Sequence, residues 1–146
     1  MFKFCLWYRI LKNNTLNSTV SKYSELFNTP IFVPHITFRH SMDKDIADME
    51  YLNNKKNINY IFKPYGRPYQ TSFNGFHAIQ QDISVQGYSY HLHDFHISLA
   101  YSTKRKFTSE EIEMVEPLIC KIYPKDYGFE LWDCYDKNPS GWFKVR

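Results

Sequence analysis

The chain has 146 residues, 43% hydrophobic and 18% aromatic, with a formal net charge of +3 at neutral pH. That length suits one domain, spanning 1–146, with material for a full core, and so many rings would be costly to leave in water, which excludes disorder. The mild basic balance suits an anionic ligand but falls well short of what a protein coating duplex DNA needs, so stable duplex binding is not expected. Cys5, Cys120 and Cys134 are odd in number and widely spaced, as expected of ordinary thiols in a reducing compartment. The apolar N-terminal run is interrupted by Lys3 and Arg9 and has no small-residue cleavage site, so a signal peptide is not expected. No run approaches the ~18 apolar residues of a membrane span. The expected setting is cytoplasmic, without a membrane partner.

In chain order, residues 2–10 alternate: Phe2, Phe4, Leu6, Tyr8 and Ile10 share one face, Lys3, Cys5, Trp7 and Arg9 the other. This predicts a strand with one buried side. Leu16, Val20, Tyr23, Leu26 and Phe27 predict an amphipathic helix over 16–27. A strand follows over about 31–39. Ser41 to Asn53 reads as a short helix with Ile46, Met49 and Leu52 inward. Residues 58–84 are β-like and punctuated by Gly66, Pro68 and Gly75, which suggests hairpins. A further strand is expected over about 95–101. Thr108-Ser109-Glu110-Glu111 then forms a capping box for a helix whose stripe is Ile112, Val115, Leu118, Ile119 and Ile122. Two strands, around 127–134 and 141–146, close the chain across an Asp-Lys-Asn-Pro-Ser-Gly turn. Helices outside a sheet-lined groove make an α+β fold the economical architecture.

Two tripeptides carry the chemistry: His35-Ile36-Thr37 and His96-Ile97-Ser98, each inside an apolar, strand-like run. In a strand, His and Thr or Ser two residues apart point to the same face, while the isoleucine between them points to the other and packs. Each tripeptide therefore presents one titratable imidazole and one neutral hydroxyl from a rigid element. Two such strands side by side supply an acid, a base and two hydroxyl donors, a set suited to cleaving a phosphodiester. The bland alternative is a pair of half-buried strand histidines with incidental hydroxyl neighbours.

Strand phase extends the surface. Arg39 falls in phase with His35 and Thr37, and Asp94 and Ala100 with His96 and Ser98. Arg39 would hold a phosphate or a base edge, or else be a solvated edge residue. With Phe129 and Leu131 as core residues, Glu130 and Trp132 fall opposite; with Phe143 and Val145 buried, Trp142, Lys144 and Arg146 fall opposite. Trp7, Trp132 and Trp142 thus share the face opposite their strands' apolar sets, either as platforms for nucleobases or as rings straddling the rim of a core. Tyr69, and with it Tyr65, is a weaker stacking candidate in the loop-like middle. Glu130 would accept from an exocyclic amine or pair with a lysine. His91, His93, Asp94 and His96 raise a zinc reading, but their order and phase do not suit it and no second ligand cluster exists, so no metal and no cofactor are expected. His40 and His77 have no motif partner and read as structural or exposed.

Pro34-His35-Ile36-Thr37-Phe38 and Phe95-His96-Ile97-Ser98-Leu99-Ala100-Tyr101, with the opening strand, the intervening helices and the closing strands, resemble the two-histidine (2H, LigT-like) phosphoesterase superfamily. The resemblance implies a bilobal, pseudo-symmetric fold with antiparallel sheets lining a central groove, and metal-independent chemistry on 2′-linked or cyclic phosphates. By position it makes His35 and His96 catalytic, with Thr37 and Ser98 binding the phosphate. Scarce Ala and Gly beside abundant Lys, Asn, Ile, Phe and Tyr suggest an AT-rich genome, as in many viruses. With the tryptophans, this favours a likeness to phage anti-CBASS and poxvirus LigT-like phosphodiesterases. The expectation is an enzyme of viral immune evasion acting in the host cytosol on cyclic di- or oligonucleotide messengers such as cGAMP. A 2′,5′-oligoadenylate phosphodiesterase, a cellular-type RNA-end or 2′,3′-cyclic-phosphate hydrolase, and a non-enzymatic nucleotide sponge remain as alternatives.

Overall fold

The computed structural model describes residues 2–11, 14–56, 59–73, 75–86 and 95–146. The order is β1 (Phe4–Ile10), α1 (Asn14–Phe27), β2 (His35–Met42), α2 (Lys44–Asn54), β3 (Phe62–Phe73), β4 (Phe76–Val85), β5 (His96–Ser102), α3 (Ser109–Met114), β6 (Tyr127–Asp133) and β7 (Phe143–Lys144). The class is α+β. The strands form one seven-stranded sheet in the order β3-β4-β5-β2-β1-β6-β7, antiparallel at every pairing, rather than separate sheets. The pairing of β2 with β5 is confined to Ile36 opposite Ile97, whereas its neighbours are paired along most of their lengths. Among the described residues no helix is long and apolar enough to cross a membrane.

β1 is an inner strand, and this alters its expected one-sided burial. Leu6, Tyr8 and Ile10 pack on one face, but Cys5 and Trp7 on the other are equally buried. Tyr8 sits among Phe38, Phe62, Phe95, Tyr127 and Phe129. These aromatic contacts couple elements far apart in sequence, and fully burying each such ring contributes about 1.5–3 kcal/mol. α1 packs against β5, and α2 against β1 and β6.

Three expectations fail for local reasons. In α2 the inward residues are Ala47 and Tyr51, the latter parallel to Phe129, whereas Ile46, Met49 and Leu52 are 46%, 55% and 51% exposed. A small alanine lets the helix approach the sheet closely, and Tyr51, one turn on, extends the same stripe. The helix at 109 starts on its expected capping box, Thr108 with Glu111, but stops at Met114. Pro117 disfavours the helical region at Glu116, and the chain runs extended from Val115, leaving Ile119 85% exposed. Ile122 is buried, though by exchanging backbone hydrogen bonds with Phe62 of β3 rather than as a helical residue. Finally, β7 is two residues long, and Trp142, not Phe143, is the buried side chain; Phe143 is 57% exposed.

Candidate active site

Because Ile36 pairs with Ile97, the antiparallel register sets His35 opposite Ser98 and Thr37 opposite His96. The two isoleucines point to the other face and are fully buried. The histidines are therefore diagonal neighbours across the two strands, and each lies beside the hydroxyl residue of the other strand. All four side chains line one cavity of ≈ 360 Å³.

Two β-bulges shape the rest of that cavity. In β2 the register passes from Thr37 opposite Trp7 to Arg39 opposite Leu6, so two residues of β2 span one step of β1. The alternation slips there. Arg39 turns to the α2 side, where its Nη1 donates to Glu50 Oε1 at 2.8 Å, and His40 comes onto the cavity face instead. In β5 the same slip lies between Ser98, opposite Gln80, and Ala100, opposite Ile79; it removes Ala100 from the cavity face and brings Tyr101 onto it. The two motif strands thus correspond over six residues, His-Ile-Thr-x-x-His and His-Ile-Ser-x-x-Tyr.

His35 is held on three counts. Trp7 stacks on its ring, with centroids 3.5 Å apart and planes 8° from parallel. Its Nδ1 lies 2.7 Å from the Val33 carbonyl. A carbonyl can only accept, so the proton sits on Nδ1 and the lone pair on Nε2. Burial, reinforced by the charge His96 would carry, pulls the His35 pKa down to about 3 against the favourable bond to Val33. The imidazole is therefore neutral across the physiological range. His96 is half-buried at the cavity wall. Burial drives the Tyr101 phenol far above the usual range, against an opposing influence of Ser98, so it stays protonated.

Of the other residues singled out by sequence, Trp7 and Trp142 line the cavity, while Arg39, Tyr69, Glu130 and Trp132 do not. Trp7 is not a free platform: His35 covers one side of the ring, and Trp132 stacks on it at 4.5 Å from the neighbouring strand on the other side. Glu130 and Trp132 have the expected phase, opposite Trp7 and Cys5, but the Trp7 ring stands between them and the histidines. Glu130 accepts from Arg9 Nε at 2.6 Å and from the Trp132 indole at 2.9 Å, with Lys144 at 3.3 Å. Burial opposes its charge, but these donors overcome it and hold the carboxyl below its usual range. It is a structural acid. Glu130→Gln is expected to lower unfolding free energy by about 1–3 kcal/mol, read by urea titration, while leaving any turnover within twofold. Tyr69 lies on the cavity face of β3, but its hydroxyl is taken up by Asp82, 2.6 Å away, and the Gln80 amide, 2.9 Å away.

Trp142 remains at the cavity, its indole donating to the Asp136 carbonyl at 2.8 Å and its ring parallel to Phe76. His77, expected to be structural or exposed, meets Ser72 Oγ at 2.7 Å. His91, His93 and Asp94 lie outside the described residues. The cavity residues that sequence reasoning missed are Tyr101, Gln80, Thr71, His40 and the phenylalanines 2, 73 and 76. Alternation along β4 places Phe76 and Gln80 together with Ala78 and was the signal that would have found two of them; the bulges hid Tyr101 and His40. No protein-family model matches this chain, and no curated protein matches it in sequence.

Proposed function

We propose that this protein is a metal-independent phosphodiesterase of the two-histidine kind, acting on nucleotide messengers with 2′-5′ or 3′-5′ linkages, cyclic dinucleotides foremost. The observation that carries the reading is the convergence of His35, Thr37, His96 and Ser98 on one cavity from paired strands. The narrow seam at Ile36 and Ile97, with a block of strands on either side and matching bulges in β2 and β5, supports a bilobal, pseudo-symmetric reading of the fold.

The roles follow from the environments. His35 is neutral with its lone pair on Nε2, so it acts as general base, taking the proton of the ribose hydroxyl beside the scissile phosphate, or of water when the substrate is a nucleoside cyclic phosphate. The phosphate anion raises the proton affinity of an imidazole beside it, which brings the depressed His35 toward working range once substrate is bound. His96, on the wetter side of the cavity, protonates the departing oxygen. Thr37 and Ser98 donate to the non-bridging oxygens as charge accumulates. Tyr101, which lines the same cavity as Ser98, closes that side of the site.

The test is a chromatographic assay against 2′,3′-cGAMP, 3′,3′-cGAMP, 2′,5′-oligoadenylate and nucleoside 2′,3′-cyclic phosphates, with and without EDTA. Turnover of a cyclic dinucleotide, unchanged by EDTA, is the expected result. Turnover of the mononucleotide cyclic phosphates alone would move the protein to RNA-end processing, and binding without turnover would make it a sponge. Loss of activity on chelation with recovery on zinc would overturn the mechanism.

A further inference from the structure

A second cavity, of ≈ 410 Å³, abuts the first and shares three of its wall residues, Phe2, Phe73 and Phe76. Phe2 lies 6.2 Å from Phe73 and 5.1 Å from Phe76, centroid to centroid, so the three rings form one aromatic cluster lining both cavities. Phe73 and Phe76 face each other across the end of the β3–β4 hairpin, where Gly75, at φ +78°, supplies the left-handed turn. Phe73 is nonetheless 53% exposed, a large apolar ring in water beside two hollows.

The charges are distributed unevenly between the two cavities. Among the described residues no lysine or arginine lines the first, where the proposed reaction takes place. The second carries Lys137, which is exposed and takes part in none of the ion pairs among the described residues. Its neighbour Asp136 is committed to the following turn: its Oδ1 accepts from the Asn138 amide at 2.8 Å, and its carboxylate packs against Gly141. Lys137 is thus a cation in a cavity that shares its aromatic wall with the cavity holding the histidines.

We propose that the second cavity is the subsite for a second nucleotide, whose base stacks on the Phe2–Phe73 wall and whose phosphate is held by Lys137 while the scissile phosphate lies at His35 and His96. This rests on the phosphodiesterase reading and narrows it to substrates of at least two nucleotides with a second phosphate. Stacking on an aromatic ring tolerates any base, and a lysine meets a phosphate as a point charge without fixing its geometry, so the subsite selects for length and charge rather than base identity.

The test measures binding by calorimetry, using probes that lack the ribose hydroxyl internal attack requires: the 5′-phosphorylated dinucleotide pdApdA against deoxyadenosine 5′-monophosphate. Wild type is expected to bind pdApdA about tenfold or more tightly than the mononucleotide. Lys137→Ala should remove most of that advantage and Lys137→Glu all of it, each leaving the mononucleotide affinity unchanged, and the advantage should shrink with added salt. Equal wild-type affinities for the two probes, or a Lys137→Glu variant that weakens both equally or neither, would overturn the subsite. If the dinucleotide advantage and its dependence on Lys137 hold but no substrate is ever turned over, the catalytic reading fails and the subsite stands.

Discussion

Replacing either His35 or His96 with alanine is expected to lower kcat by about two to four orders of magnitude, and the double replacement should cost little more than the worse single one. In the proposed mechanism each histidine does half of one proton exchange: a base with no acid opposite still faces a poor leaving group, and an acid with no base faces an unactivated hydroxyl. Groups that act as a unit are non-additive in this way. His35 also carries structure, since it is 4% exposed and stacked by Trp7, so alanine there opens a hollow. His35→Gln, which retains a polar side chain of similar reach, separates the effects: it should fold with near-wild-type stability and remain inactive. His96 is only half-buried, so His96→Ala should unfold at close to the wild-type urea midpoint. Thr37→Val and Ser98→Ala remove donors to the non-bridging oxygens and are expected to cost about 10²–10³-fold each. Full activity in a folded His35 or His96 variant would remove the assignment.

The proposed catalytic quartet was legible because its convergence depends only on alternation. A residue two positions along a strand returns to the same face whatever the strand packs against, so His35 with Thr37 and His96 with Ser98 required no knowledge of the partner strands. Arg39 and His40 show where that reasoning ends. The bulge that exchanges them arises where two residues of β2 stand against one step of β1, a tertiary event with no mark in the local sequence. The tryptophans fail differently. Their phase was right, but phase reports direction and not what else occupies the space; Trp7 is enclosed by His35 and Trp132, and Trp132 is tied to Glu130. In α2, period alone favoured the bulkier stripe of Ile46, Met49 and Leu52, while the sheet accepts the stripe with the alanine. Termination of the third helix was written in the sequence as Pro117, and the apolar residues beyond it merely continued the pattern in another conformation.

Stability should fall in mild acid because of His35. Its folded pKa is lowered to about 3 by burial, against an ordinary value of 6.5. Between those values the unfolded chain binds a proton that the folded chain refuses, so unfolding is favoured as pH drops. The contribution is fully present above pH 6.5 and is lost progressively toward pH 3, with a slope approaching 1.4 kcal/mol per pH unit for one group. Glu111 acts in the same direction, its carboxyl held at about 2 by the Arg105 guanidinium, but its loss begins only below the ordinary carboxylate value of 4.5. The interval from pH 6.5 to 5 therefore isolates the histidines, and His40, whose pKa burial also lowers, contributes there too. His35→Phe keeps a ring against Trp7 and removes the titration. Urea unfolding of the two proteins across that interval should show wild type losing about 1.5 kcal/mol more than the variant, whatever their difference at neutral pH. Parallel curves would mean that the His35 ring can reach water and be protonated where it stands, and the neutral base on which the mechanism relies would no longer be guaranteed by the fold.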